Sequence, residues 1–164
     1  MSFHLFFEVK VNILENVIFV CAGNTCRSAM AKYIMRKLVS ESDLKDKIFV
    51  DSAGCQTSGG KSMGGRTREV LEKNNIPFDE HISKLFTREE YNKFNYVIAL
   101  DEKILETATE FSDGDPNKKI RLFKNLDGEI LDIDDPFVTG DFQKTFSQIF
   151  LGCSALLKEI STVL

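Results

Sequence analysis

The stretch that most constrains this chain is Val17-Ile18-Phe19-Val20-Cys21-Ala22-Gly23-Asn24-Thr25-Cys26-Arg27-Ser28. It begins as an apolar, β-branched run, which predicts a buried strand. It runs directly into Ser28-Ala29-Met30-Ala31-Lys32-Tyr33-Ile34-Met35, which predicts a helix with Met30, Ile34 and Leu38 toward a core. A strand–loop–helix unit aims its loop amides and the helix N-terminus at one spot, and that spot favours an anion. A cysteine held in such a field is favoured as a thiolate. Arg27 adds a planar fork that matches two phosphoryl oxygens. Ser28 is placed as the helix N-cap, and its hydroxyl is the natural donor to the sulfur. The combination points to a nucleophilic Cys21 beneath a phosphate cradled by Ala22, Gly23, Asn24, Thr25, Cys26 and Arg27.

Cys21 to Ser28 resembles the phosphate-binding loop of the low-molecular-weight protein tyrosine phosphatases: Cys, five residues, Arg, Ser, with Gly-Asn at the third and fourth places and a second Cys at the sixth. Asp51-Ser52-Ala53-Gly54, His81-Ile82-Ser83, Ala99-Leu100-Asp101-Glu102 and Asp135-Pro136-Phe137 follow in the family's order, so the likeness covers about residues 16 to 160. It implies hydrolysis of phosphotyrosine in proteins and of small aryl phosphates through a phosphocysteine, without metal or cofactor. It also implies that Ser52 and His81 hold Asn24 in place by hydrogen bonds.

Asp135 is the expected general acid. Asp-Pro sets a carboxyl on a turn, where it protonates the leaving oxygen and then takes a proton from water. Asp134 competes by position, but only Asp135 precedes Pro. Phe137 is placed to wall an aromatic substrate. Asn24 suits a left-handed backbone that turns successive N–H groups inward. Cys26 lies around the same curl and is expected to approach Cys21 and trap its sulfenic acid as a disulfide, a pairing the resemblance also implies; its plainer reading is burial at a helix start. The chain departs from the family at Ala29, where Pro is usual, at Phe137 and Val138, where tyrosines are common, and in Gly54 to Gly60, which has no aromatic. These departures bear on substrate preference rather than reaction type.

The remaining residues read as strands over Lys47 to Ser52, Tyr96 to Leu100 and Lys119 to Phe123. Helices are expected from Arg66 to Asn74, from the Thr87-Arg88-Glu89-Glu90 capping box to Lys93, from Asp101 to about Phe111, and from Phe142 to Ile160. Alternating strands and helices predict an α/β fold, a single domain with a four-stranded parallel sheet flanked by helices on both faces. The catalytic domain is expected over 16–164. Residues 1–15 form an N-terminal extension readable as an extra strand, a disordered tail or a gene-start artefact.

A formal net charge of −4 supplies no basic footprint for nucleic acid or a membrane surface. No apolar run is long enough to span a bilayer, and the first residues lack the basic start of a signal peptide. Cys21, Cys26, Cys55 and Cys153 have no metal spacing and read as thiols of a reducing cytoplasm. The partner expected is a phosphotyrosine-containing protein; the sequence sets no oligomeric state. Two other functions stand beside this one. Thiol-dependent arsenate reductases share the fold and loop but need two relay cysteines, and Val97 to Phe111 holds none. A non-catalytic phosphate-binding module would not need Cys21, Arg27, Ser28 and Asp135 together.

Overall fold

The computed structural model describes residues 14–164. Most of the proposed extension, residues 1–13, lies outside them, and Glu15 already belongs to the first strand, its amide donating to the Lys47 carbonyl at 2.8 Å. In chain order the elements are β1 (Glu15–Cys21), α1 (Arg27–Ser40), β2 (Ile48–Gly54), α2 (Gly65–Lys73), α3 (Arg88–Lys93), β3 (Tyr96–Ala99), α4 (Glu102–Phe111), β4 (Ile120–Lys124), β5 (Ile130–Leu131), α5 (Pro136–Thr139) and α6 (Phe142–Ser161).

The sheet has the order β2-β1-β3-β4-β5. The first four strands run parallel, with Val17 beside Val50 and Tyr96, and Val97 beside Ile120. The expected four-stranded sheet therefore gains a fifth strand, antiparallel to β4. A tight return makes it: the Asn125 side-chain oxygen accepts from the amides of Asp127 and Glu129, and Gly128 takes a positive φ of 83°. Two residues are too few to leave a periodic signature.

β1 explains why both faces are covered. Val17, Phe19 and Cys21 enter a core shared with α1, α2 and α6, whereas Ile18 and Val20 enter a second core shared with α3 and α4. Alternate side chains of a strand point to opposite faces, so the continuous apolar run is what a strand buried on both sides requires. Each large side chain buried this way stabilises the fold by about 1.5–3 kcal/mol. The arrangement puts the C-terminal ends of β1 and β3 at one edge, where α1 and α4 begin. Open α/β sheets bind their ligands at such an edge.

Three local expectations hold and one does not. Thr87 caps α3 by accepting from the Glu90 amide, and Asp101 caps α4 by accepting from the Ile104 amide at 2.8 Å. α6 spans the expected amphipathic stretch. Ser28, however, is not the N-cap of α1. The helix starts one residue earlier, at Arg27, with Cys26 at the cap and no side chain bonded there. The serine hydroxyl is drawn inside the loop instead. The glycine-rich stretch after β2 is also less free than its composition implies. Gly54 bridges to Leu85 and Ser62 to Ile82, stitching it to the chain before α3.

Candidate active site

The loop between β1 and α1 is tied down on its outer side by backbone. The carbonyls of Cys21 and Ala22 accept from the amides of Cys55 and Gln56, both at 2.9 Å, and Thr25 accepts from Gly64 at 3.0 Å. Gly54 has to be glycine: a Cβ there would sit 2.6 Å from the Ala22 oxygen and 3.0 Å from the Asn24 nitrogen. Among the described residues, the amides of Gly23, Asn24, Thr25 and Cys26 find no protein acceptor.

Asn24 is the hub. It is fully buried and left-handed, with φ of 57°, an unusual state for a residue other than glycine that its surroundings must hold. Its side-chain nitrogen donates to Ser28 and to Ser52, each at 2.9 Å. Its side-chain oxygen accepts from the Lys84 amide at 3.0 Å, and its carbonyl lies 2.6 Å from Nε2 of His81. The two residues assigned to this role by resemblance, Ser52 and His81, both touch Asn24.

Cys21 is 3 % exposed, and its sulfur lies 2.9 Å from the Ser28 hydroxyl oxygen. Ser28 accepts from Asn24, which leaves its own proton free to go to the sulfur. Arg27 is buried as well. Its Nη1 donates to Asp101 Oδ2 at 2.6 Å and to the Ile133 carbonyl at 2.8 Å. In the sequence Asp101 stands out for this contact only by position, as an acidic residue just after β3 at the sheet edge that carries the loop.

Asp135 caps the short helix α5, accepting from the Phe137 amide at 3.0 Å. Its carboxylate lies near enough to act electrostatically on both Cys26 and Arg27; Asp134 is exposed. Phe137 is 58 % exposed and stands edge-on to Phe142 at 5.4 Å, with its ring tip 3.5 Å from the space a Cβ on Gly64 would take. It thus flanks the loop beside Thr25.

Cys26 is buried, and desolvation pushes its thiol up to about 12; the nearby Thr67 hydroxyl opposes that shift in part. The four cysteines are free thiols. Cys55 is likewise pushed up to about 12 by burial, and Cys153, wholly buried in α6, lies 3.7 Å from the Ala31 carbonyl.

Comparison with known proteins identifies the family and the fold. Residues 16–163 match the family model described as low molecular weight phosphotyrosine protein phosphatase. The Staphylococcus aureus protein named low molecular weight protein-tyrosine-phosphatase PtpA is 35% identical over 151 residues, 90% of this chain and 94% of that one. The crystal structure of YfkJ from Bacillus subtilis superposes with a TM-score of 0.84 at 31% identity, covering 91% of this chain and 96% of that one. The YwlE arginine phosphatase, solved as a cysteine-to-serine mutant with a phosphorylated active-site serine, superposes with a TM-score of 0.76 at 26% identity, covering 89% and 95%. With fold, length and sequence all in agreement, the chain belongs to the low-molecular-weight phosphotyrosine protein phosphatases and is a protein tyrosine phosphatase.

Proposed function

We propose that the chain hydrolyses phosphotyrosine in proteins through a phosphocysteine at Cys21. The observation that carries this reading is the 2.9 Å approach of the Ser28 hydroxyl to the Cys21 sulfur at the start of α1, with Arg27 in the same turn. The thiolate attacks phosphorus while the P–O bond to the phenol breaks. Arg27 and the unpaired amides of Gly23 to Cys26 hold the non-bridging oxygens, where charge must be stabilised without reorganisation. Asp135 gives its proton to the leaving phenolate. The resulting carboxylate takes a proton from water, whose oxygen attacks phosphorus; the S–P bond breaks, phosphate leaves and the thiolate is restored. The phosphorylated active-site serine of the superposable YwlE cysteine-to-serine mutant supports a covalent step on this fold. Four free cysteines support a reducing compartment such as the cytoplasm. Burial of Cys153 in the α6 core argues against a disulfide relay of the arsenate-reductase kind.

A second substrate has support of its own, because the superposable YwlE is an arginine phosphatase. The mouth here presents Asp135 beside the exposed Asp132 and Asp134, one aromatic wall at Phe137, and no aromatic over residues 54–60. A guanidinium leaving group is a planar cation. It calls for acceptors at the mouth rather than paired aromatic walls.

One experiment addresses both. Purified protein is assayed on p-nitrophenyl phosphate, a phosphotyrosine peptide and a phosphoarginine peptide, with EDTA present and absent, beside Cys21→Ser. The wild type is expected to be indifferent to EDTA and to act on the phosphotyrosine peptide, and Cys21→Ser to lose turnover by at least about 10⁴-fold. Appreciable turnover by Cys21→Ser removes the cysteine mechanism. A kcat/KM higher on phosphoarginine than on phosphotyrosine makes the second substrate the principal one.

A further inference from the structure

Beneath the loop lies a buried polar pair that the reaction steps above do not use. Lys32 follows Ser28 by four residues on α1, so the two side chains leave the same face of the helix. Ser28 reaches Cys21 and Asn24. Lys32, only 7 % exposed, brings its Nζ within 2.7 Å of Nδ1 of His81, itself 4 % exposed. The other ring nitrogen lies 2.6 Å from the Asn24 carbonyl. A carbonyl only accepts, so Nε2 carries a proton; an ammonium only donates, so Nδ1 carries none. The ring is therefore neutral and of a single tautomer.

The Asn24 carbonyl belongs to the peptide joining Asn24 to Thr25. That peptide is planar and trans, so holding its oxygen toward His81 turns the Thr25 N–H the opposite way. Ser28, Ser52 and the Lys84 amide fix only the Asn24 side chain. His81 is the group that fixes this peptide plane. The charges around the pair come from every neighbouring element. Arg36 on α1 and Lys84 before α3 oppose further positive charge, Asp51 on β2 and Asp79 favour it, and the edge of Tyr33 packs on the imidazole at 6.2 Å. Burial disfavours a second charge on the ring more than any of them.

We propose that Lys32 is a positioning residue of the phosphate loop: its ammonium holds His81 in the neutral Nε2–H form, which keeps the Thr25 amide turned into the loop. The inference rests on the loop being the phosphate site. Without the donor, as in Lys32→Met, the ring becomes free to take the Nδ1–H form and release the peptide plane. A carboxylate, as in Lys32→Glu, accepts from Nδ1–H and leaves an imidazolium that still donates to Asn24, so charge reversal restores what simple removal loses.

The test is nitrogen NMR of the imidazole in protein carrying His4→Gln, which leaves His81 as the one histidine. It is paired with inhibition by inorganic phosphate and with turnover of p-nitrophenyl phosphate. The protein with Lys32 intact should show the Nε2–H ring at pH 7, titrating below the usual value of about 6.5. Lys32→Met should mix the tautomers, weaken phosphate inhibition and lower kcat/KM by about 5–50-fold. Lys32→Glu should move the His81 titration above about 6.5 and recover kcat/KM to within about threefold. An Nδ1–H or protonated ring with Lys32 intact overturns the proposal, as does a Lys32→Met protein whose spectrum and phosphate inhibition are unchanged. Should Lys32→Met fail to fold, the spectrum with Lys32 intact and the Lys32→Glu titration decide. The spectrum reads the tautomer without turnover, so failure of the positioning role and failure of the phosphatase reading register separately.

Discussion

Arg27 is held in place by the protein itself. Asp101 and the Ile133 carbonyl take its Nη1, which fixes the guanidinium plane, and among the described residues the rest of the fork has no protein acceptor. A buried cation without that partner would be costly, so Asp101 holds Arg27 in the arrangement the proposed chemistry uses. Asp135 differs: it lies on a half-buried turn, and the proposed mechanism gives it the proton for the leaving group. Asp135→Asn should cut turnover of aryl phosphates by about 10²–10⁴-fold. The defect should grow as the leaving phenol becomes more basic, since a poor leaving group needs the proton most. A leaving-group series for wild type, Asp135→Asn and Asp134→Asn measures it. Parallel slopes for wild type and Asp135→Asn, or a larger defect in Asp134→Asn, would show the role to be misassigned.

At the scale of elements, what the sequence reveals depends on how a contact is encoded. The β1–loop–α1 unit is legible because an apolar run, a Cys and an Arg-Ser pair are contiguous, and α3 and α4 because Thr87 and Asp101 are caps of short reach. β5 is not legible, being two residues long, and the Lys32–His81 contact joins residues 49 apart with no local pattern. Ser28 reads as a cap because its residue type suits one, whereas tertiary partners at Cys21 and Asn24 claim it. Gly152 is a further case in which packing overrides propensity. Mid-helix glycine costs about 1 kcal/mol relative to alanine, yet α6 carries it where a Cβ would stand 2.6 Å from the buried Phe123 ring, which is itself packed on Phe19 at 5.4 Å. Gly152→Ala should therefore destabilise the fold by about 1–3 kcal/mol despite its better helix propensity, with kcat unchanged because β4 and α6 meet away from the loop. Denaturant midpoints and a p-nitrophenyl phosphate assay measure the two effects. An unchanged or raised midpoint would show that α6 does not close on β4 this tightly.

Over the whole molecule, the buried titratable groups set a stability profile with a maximum. Burial lowers His81, so the unfolded chain binds a proton that the native state refuses as pH falls through about 6.5; stability is lost on the acid side. Lys32, lowered to about 8 from 10.5 chiefly by burial, acts in the same direction. From about pH 8 upward the unfolded lysine holds more protons than the native one, and stability gains as pH rises. Cys26 and Cys55, raised from 9.0 to about 12, and Cys153, raised in the same direction, act oppositely. Their thiols ionise in the unfolded chain above about pH 9 while the native ones stay protonated, so stability falls. Three thiols outweigh one lysine there. The unfolding free energy should rise from pH 6 to 8 and fall from pH 8 to 10. Lys32→Met removes one of the charges that lower His81 and also removes the lysine's own gain, so it should shallow the first limb in part and steepen the second. Replacing Cys55 with serine should shallow the second limb and leave the first. Urea titrations at the three pH values under reducing conditions supply the measurement. A wild-type profile that declines steadily from pH 6 would mean that His81 and Lys32 are not held in the desolvated environment on which the loop depends.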